Sequence, residues 1–123
     1  MKERERIIAD YFYSWKAKDA TILEKTFSSD AIYIESWGPA YKNRKQILTW
    51  FKDWNKQNTV LEWSIKTFYH SGNEYICEWY FECECDGNVD GFNGVSVVTF
   101  NDKNEIILLK EFQSKTPNDY PYD

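Results

Sequence analysis

The chain has 123 residues, a net charge of −5, and six tryptophans, nine tyrosines and eight phenylalanines. That length fits a single domain over residues 1–123, since two cores would each be marginal. The acidic balance argues against nucleic acid and anionic membrane surfaces as partners, because both need a positive face. The rings exceed what an ordinary core requires, and each buried ring covers roughly 150–250 Å², so some of them are expected to line a cavity.

In chain order, Met1 to Arg6 is charged and lacks the apolar stretch of a leader or membrane span. Ile7, Ile8, Tyr11, Phe12 and Trp15 then recur at helical spacing, predicting a first helix over about residues 3–17. Asp19 can cap a short second helix whose buried face holds Leu23 and Phe27. Residues 31–36 read as a strand with Ala31, Tyr33, Glu35 and Trp37 on one side, and Gly38-Pro39 ends it. Asn43 and Gln46 form a capping pair for a third helix carrying Ile47, Trp50, Phe51 and Trp54.

Beyond residue 58 the period changes from 3.6 to 2, and turn residues at 71–73, 86–88 and 102–104 imply four long antiparallel strands. In the first, Trp63, Ile65, Thr67 and Tyr69 share a face; in the second, Tyr75, Cys77, Trp79, Phe81 and Cys83 do. Either parity of the last strand can face the core: Ile107, Leu109, Glu111 and Gln113, or Ile106, Leu108, Lys110 and Phe112. Cys77, Cys83 and Cys85 lie on one strand with neighbours about 6–7 Å apart, poor geometry for a disulfide. They read as free thiols in a reducing, cytoplasmic compartment. The residues call for no metal and no cofactor: His70 falls in a turn, and Glu78, Glu82 and Glu84 suit cross-strand pairing with Lys66 and Lys110. Residues 86–91 lack the terminal glutamate of a calcium loop.

Helices followed by a strand, a helix and a meander make an α+β arrangement. The order and local signatures resemble the nuclear transport factor 2-like superfamily, and within it the SnoaL-like, polyketide cyclase-like group. The matching residues are the stripe ending at Trp15; Asp19, Leu23, Phe27 and Asp30-Ala31; Trp37 to Tyr41 with Ile47; and Phe100 to Ile106 with Glu111-Phe112. Lys42-Asn43 and Asn104-Glu105 stand where the group has glycines, and asparagine tolerates left-handed backbone.

The resemblance implies a cone-shaped roll of three N-terminal helices packed on a curved, mainly antiparallel sheet, often as a homodimer, with a pocket at the wide mouth. Its members include cyclases, isomerases, dehydratases, epoxide hydrolases and binding modules, so fold leaves activity open. Reactive members place an acidic side chain in an apolar cavity, where burial raises its pKa into the range of proton exchange beside a carbonyl. Here Glu35 and Glu111 are the candidate catalytic carboxylates, the alternative being exposed or cross-strand paired groups. Tyr11, Trp15, Tyr33, Trp37, Trp50, Trp54, Trp63, Trp79 and Gln113 are the candidate ligand wall. Three functions follow as expectations: binding of a small apolar or aromatic molecule, lyase or isomerase chemistry with a buried glutamate as proton shuttle, or a homodimeric interaction module with a filled cone.

Overall fold

The computed structural model describes residues 2–122. Helix α1 (Lys2–Ala17) forms because Ile8, Tyr11, Phe12 and Trp15 bury one stripe. It stops where Lys18 turns left-handed (φ 56°), with Asp19 N–H bonding Ser14 O at 2.9 Å and Lys18 N–H bonding Trp15 O at 3.3 Å. Those two bonds are the Schellman pattern, which satisfies carbonyls the helix leaves open. Asp19 then caps α2 (Ala20–Thr26) by accepting from Thr21 N–H at 3.0 Å. Asn43 caps α3 (Arg44–Gln57) by accepting from Gln46 N–H at 2.8 Å, and the Gln46 side chain reaches back to Lys42 N–H at 2.8 Å. Asn43 is extended (φ −160°) and needs no left-handed conformation, whereas Asn104 (φ 62°) does adopt one.

The strands are β1 (Phe27–Ile34), β2 (Ala40–Tyr41), β3 (Asn58–Ser71), β4 (Glu74–Cys85), β5 (Asn88–Phe100) and β6 (Ile106–Ser114). They form one sheet in the order β2-β1-β6-β5-β4-β3, with β3 to β6 as the antiparallel meander and β1 parallel to β6. Strand β1 begins four residues earlier than the alternation at 31–36 suggests, and Glu35 lies just past its end. The pair Ala40–Tyr41, between Gly38-Pro39 and the cap at Asn43, folds back on Tyr33 and Ile34 as a short strand. Helix α1 packs on β3 and α3 on β1, giving the α+β roll.

Two irregularities change side-chain facing. A register shift between Ile65 and Thr67 reverses parity in β3, so Phe68 packs toward the core and Tyr69 is 61% exposed, contrary to the uninterrupted alternation. In β6 a register shift at the Phe100–Ile106 pair puts Ile106 inside from one parity, and beyond it the other parity faces the core: Leu109 is buried and Phe112 is 53% exposed.

The interior has two ends. At the starts of β1, β4 and β6 and the end of β5, Phe27, Tyr75, Ile106 and Phe100 are fully packed. Arg4 closes that end, donating to Asn104 Oδ1 (2.8 Å), Asn73 Oδ1 (3.1 Å) and Asn101 O (3.3 Å) above the Phe100 ring. The other end stays open. Among the described residues no helix is long and apolar enough to cross a membrane.

Candidate functional site

At the open end lies a cavity of about 180 Å³. Its position follows from strand register. Parallel pairing sets Tyr33 beside Leu109, and Glu111 comes two residues further along the inner face of β6. Across the sheet Glu111 pairs with Ser96, which pairs with Cys77; Gln113 pairs with Gly94, which pairs with Trp79. Two rows of inward side chains thus build the back wall.

Gly94 lets that wall close. A β-carbon there would collide with both the Trp79 ring and the Phe112 carbonyl oxygen. Without it, the Trp79 indole crosses the neighbouring strand and its N–H bonds Ser96 Oγ at 3.0 Å. The helical wall is tryptophan: Trp15 meets Trp50 and Trp54 edge-on at centroid distances of 4.8 and 5.4 Å. Trp63 is stacked on Phe12 at 3.8 Å and meets Trp79 at 5.6 Å.

Both candidate carboxylates line this cavity. Glu111 accepts a hydrogen bond from the Tyr33 hydroxyl, and its carboxyl has no other hydrogen-bond partner among the described residues. Burial pushes the Glu111 carboxyl up to about 8; the Tyr33 hydrogen bond pulls the other way, and the nearby Glu35 charge adds to the rise. Glu35 sits at the rim with both oxygens engaged, accepting from Tyr41 Oη at 2.6 Å and from Trp37 Nε1 at 3.2 Å. Partial burial raises its carboxyl above the ordinary value while those two bonds lower it. Burial and the adjacent carboxylates hold the Tyr33 and Tyr41 hydroxyls above the usual phenol range. Gln113 accepts from Ser36 Oγ at 2.9 Å, which leaves its amide N–H groups as donors.

Of the residues expected in the wall, Trp15, Tyr33, Trp37, Trp50, Trp54, Trp63, Trp79 and Gln113 border the cavity. Trp37 does so while 72% exposed, as a flap over the rim. Tyr11 does not border it. That side chain is fully buried behind the wall, accepting from Trp15 Nε1 at 2.9 Å and packed against Tyr33. Helical spacing identifies its buried face and not its depth.

Sequence reasoning passed over Ser36, Phe81, Cys83, Cys85 and Phe92, which also border the cavity. Phe81 and Cys83 share the parity of Trp79, a signal that was there to use; Ser36 and Phe92 offer none. Cys83 and Cys85 approach to 3.2 Å between sulfurs but are free, and burial pushes the Cys83 thiol up to about 12. His70 is exposed and stacked on Tyr75 at 5.0 Å, away from the cavity. Lys66 bonds Asn93 Oδ1 at 2.9 Å rather than the outer-face glutamates. No cluster of three or more metal-ligating side chains occurs among the described residues.

The model of the SnoaL-like domain matches residues 8–107. The chain belongs to the SnoaL-like family. No curated protein matches it by sequence. Solved structures similar to this SnoaL-like chain share its fold at low identity. One is a hypothetical protein of ketosteroid isomerase-like fold from Catenulispora acidiphila DSM 44928, in complex with trimethylamine (18% identity, 88% of this chain and 85% of that one, TM-score 0.79). A second is an LEH-like epoxide hydrolase from M. tuberculosis (13%, 92% and 84%, TM-score 0.83). A third is an NTF2-like protein of unknown function from Burkholderia pseudomallei K96243 (10%, 93% and 92%, TM-score 0.78). Such likeness fixes the SnoaL-like fold; chemistry has to be read from the site.

Proposed function

We propose that this SnoaL-like protein binds a small, flat or compact molecule in the open end of the cone and moves a proton on it, with Glu111 as the shuttle. The observation that carries this reading is a carboxyl enclosed in an aromatic cavity, held by one hydrogen bond and raised to about 8. A carboxylate so placed is a far stronger base than one in water, and near neutral pH both of its protonation states are populated. The Tyr33 hydroxyl is committed to Glu111 and the Tyr41 hydroxyl to Glu35. Neither tyrosine is therefore the donor for a developing enolate, and the free amide N–H of Gln113 takes that role.

In this scheme the ionised Glu111 removes a proton beside a ligand carbonyl, Gln113 stabilises the enolate oxygen, and Glu111 returns the proton to a different carbon or to the same one. Glu35, with both oxygens occupied, orients the rim. Cavity size limits the ligand: about 180 Å³ is close to the roughly 150 Å³ that takes a benzene-sized molecule. The trimethylamine of the Catenulispora neighbour is compatible with a ligand on that scale.

Native mass spectrometry of freshly purified protein identifies a retained small molecule. Exchange of its α-proton with deuterium, followed by NMR, is expected for the wild type and abolished by Glu111→Gln; retention of a ligand without exchange would leave a binding module in place of a catalyst. The cavity also counts against an interaction module with a filled cone. The same spectrum tests the proposal of a homodimer. Ile32, Ile76 and Phe112 are exposed on the outer sheet face, where a second copy would cover them. The three free thiols suit the reducing cytoplasm.

A further inference from the structure

The cavity carries two carboxylates, six tryptophans and no compensating positive group. Its border includes Glu35 and Glu111, and among the described residues it includes no lysine, arginine or histidine. The described ion pairs, Lys56 with Asp53 and Lys115 with Asp119, lie elsewhere on exposed side chains. A buried carboxylate without a counter-charge is costly, and proteins ordinarily supply one from a neighbouring side chain. Here the chain supplies only neutral hydroxyl and indole donors. An anionic ligand would meet two like charges in a low-dielectric site.

The tryptophans point the same way. Trp15, Trp50, Trp54, Trp63 and Trp79 surround a space near 180 Å³, and Trp37 overhangs its rim. Tryptophan is the aromatic side chain that attracts an organic cation most strongly, and rings in a cage strip a weakly hydrated cation of water at little cost. A strongly hydrated metal ion would find too few oxygen ligands, because no cluster of three ligating side chains occurs among the described residues.

We infer that the ligand of this site carries a small organic cation, a methylated ammonium group, seated among the tryptophans with Glu35 and Glu111 as its counter-charges. This rests on the reading of the cavity as the ligand site. It also bears on the proton shuttle: a fixed positive charge on the ligand keeps Glu111 in its ionised, proton-accepting form, while lowering part of the basicity that burial gives it. The groups facing Glu111 are Tyr33, Tyr41 and Glu35 on the β1–β2 side, Tyr11 from α1 and Cys77 from β4. Apart from Glu35, these are phenols and a thiol held in their neutral forms by burial. Glu111, and with it Glu35, whose carboxyl burial also raises, are thus the groups whose charge can change on cation binding. Binding releases a proton, and affinity for the cation rises with pH toward and through 8.

Choline and 3,3-dimethyl-1-butanol make the test, since they share a shape and differ by the charge at one atom. Tryptophan fluorescence and isothermal titration of the full chain at pH 6.5 and 9 would read both affinities. The expected result is at least tenfold tighter binding of choline at pH 9, a preference that shrinks at pH 6.5 and is weakened by Glu111→Gln and by Glu35→Gln, each checked for folding by circular dichroism. Equal or tighter binding of the neutral alcohol would overturn the cation assignment while leaving the cavity as a ligand site. Binding of neither compound by folded protein, with no molecule retained in the native mass spectrum, would overturn both.

Discussion

The two ends of the cone are built from the same strands and differ in what the inward positions hold. At the closed end Phe27, Tyr75, Phe100 and Ile106 are fully buried, and Arg4 ties three turn residues over them. At the open end the same sheet continues, with register shifts in β3 and at the start of β6, but the inward positions become Trp79, Cys83, Glu111 and Gln113, and a cavity remains. Strand β6 shows the change within one element, from Ile106 and Leu109 to Glu111 and Gln113. Packing density, not sheet geometry, separates scaffold from site. A mutation at the closed end should therefore act through stability with ligand affinity unchanged, and one at the open end chiefly through activity.

The sharpest contrast is expected from Glu111→Gln. Proton exchange on the ligand should fall by about 10²-fold or more, the usual worth of a positioned acid–base group, while the fold persists. The same variant tests linkage. The Glu111 carboxyl holds its proton up to about 8 when folded, against 4.5 for the ordinary group. Between those pH values the folded state binds more protons, so this residue's contribution to stability is complete at low pH and is lost as pH rises toward and through 8. Urea midpoints measured from pH 5 to 9 should decline more steeply for wild type than for the variant. Identical slopes would mean that Glu111 is not desolvated.

Arg4→Ala probes the closed end. Loss of three hydrogen bonds and the contact over Phe100 should cost about 1–2 kcal/mol of stability, visible as a lower thermal midpoint with ligand affinity unchanged. A change in affinity would break the division between the ends. Tyr33→Phe should lower exchange by a smaller factor than Glu111→Gln and raise the pH at which Glu111 titrates, because the lost hydrogen bond favoured the ionised form. Kinetic pH profiles would show the displacement. The smallest effect is expected from Glu35→Gln, less than tenfold on exchange at saturating ligand, since its oxygens are already occupied by Tyr41 and Trp37.

The caps at Asp19 and Asn43, the three helices and the meander were legible because each depends on a few adjacent residues. The parity of β6 was not legible from its own composition, since both faces are apolar over their first half. Parallel pairing with β1, a contact between distant segments, decides it by setting Tyr33 beside Leu109. The same pairing makes Glu111 and Tyr33 partners. The reversal in β3 escaped for a related reason: the register shift after Ile65 depends on its match to β4. Tyr11 marks a third limit, since a buried stripe does not tell a wall from the layer behind it.

Gly94 is where the cavity acquires its depth. The Trp79 ring occupies the space a side chain there would need, and the carbonyl of Phe112 bars it from the other direction. The wall is thus drawn back by a missing methyl group. Any larger residue at 94 would have to evict Trp79 or bend β6, and an indole driven inward would take its room from the ligand. The position acts as a gauge for guests: what the protein admits depends on hydrogen where every other amino acid carries carbon.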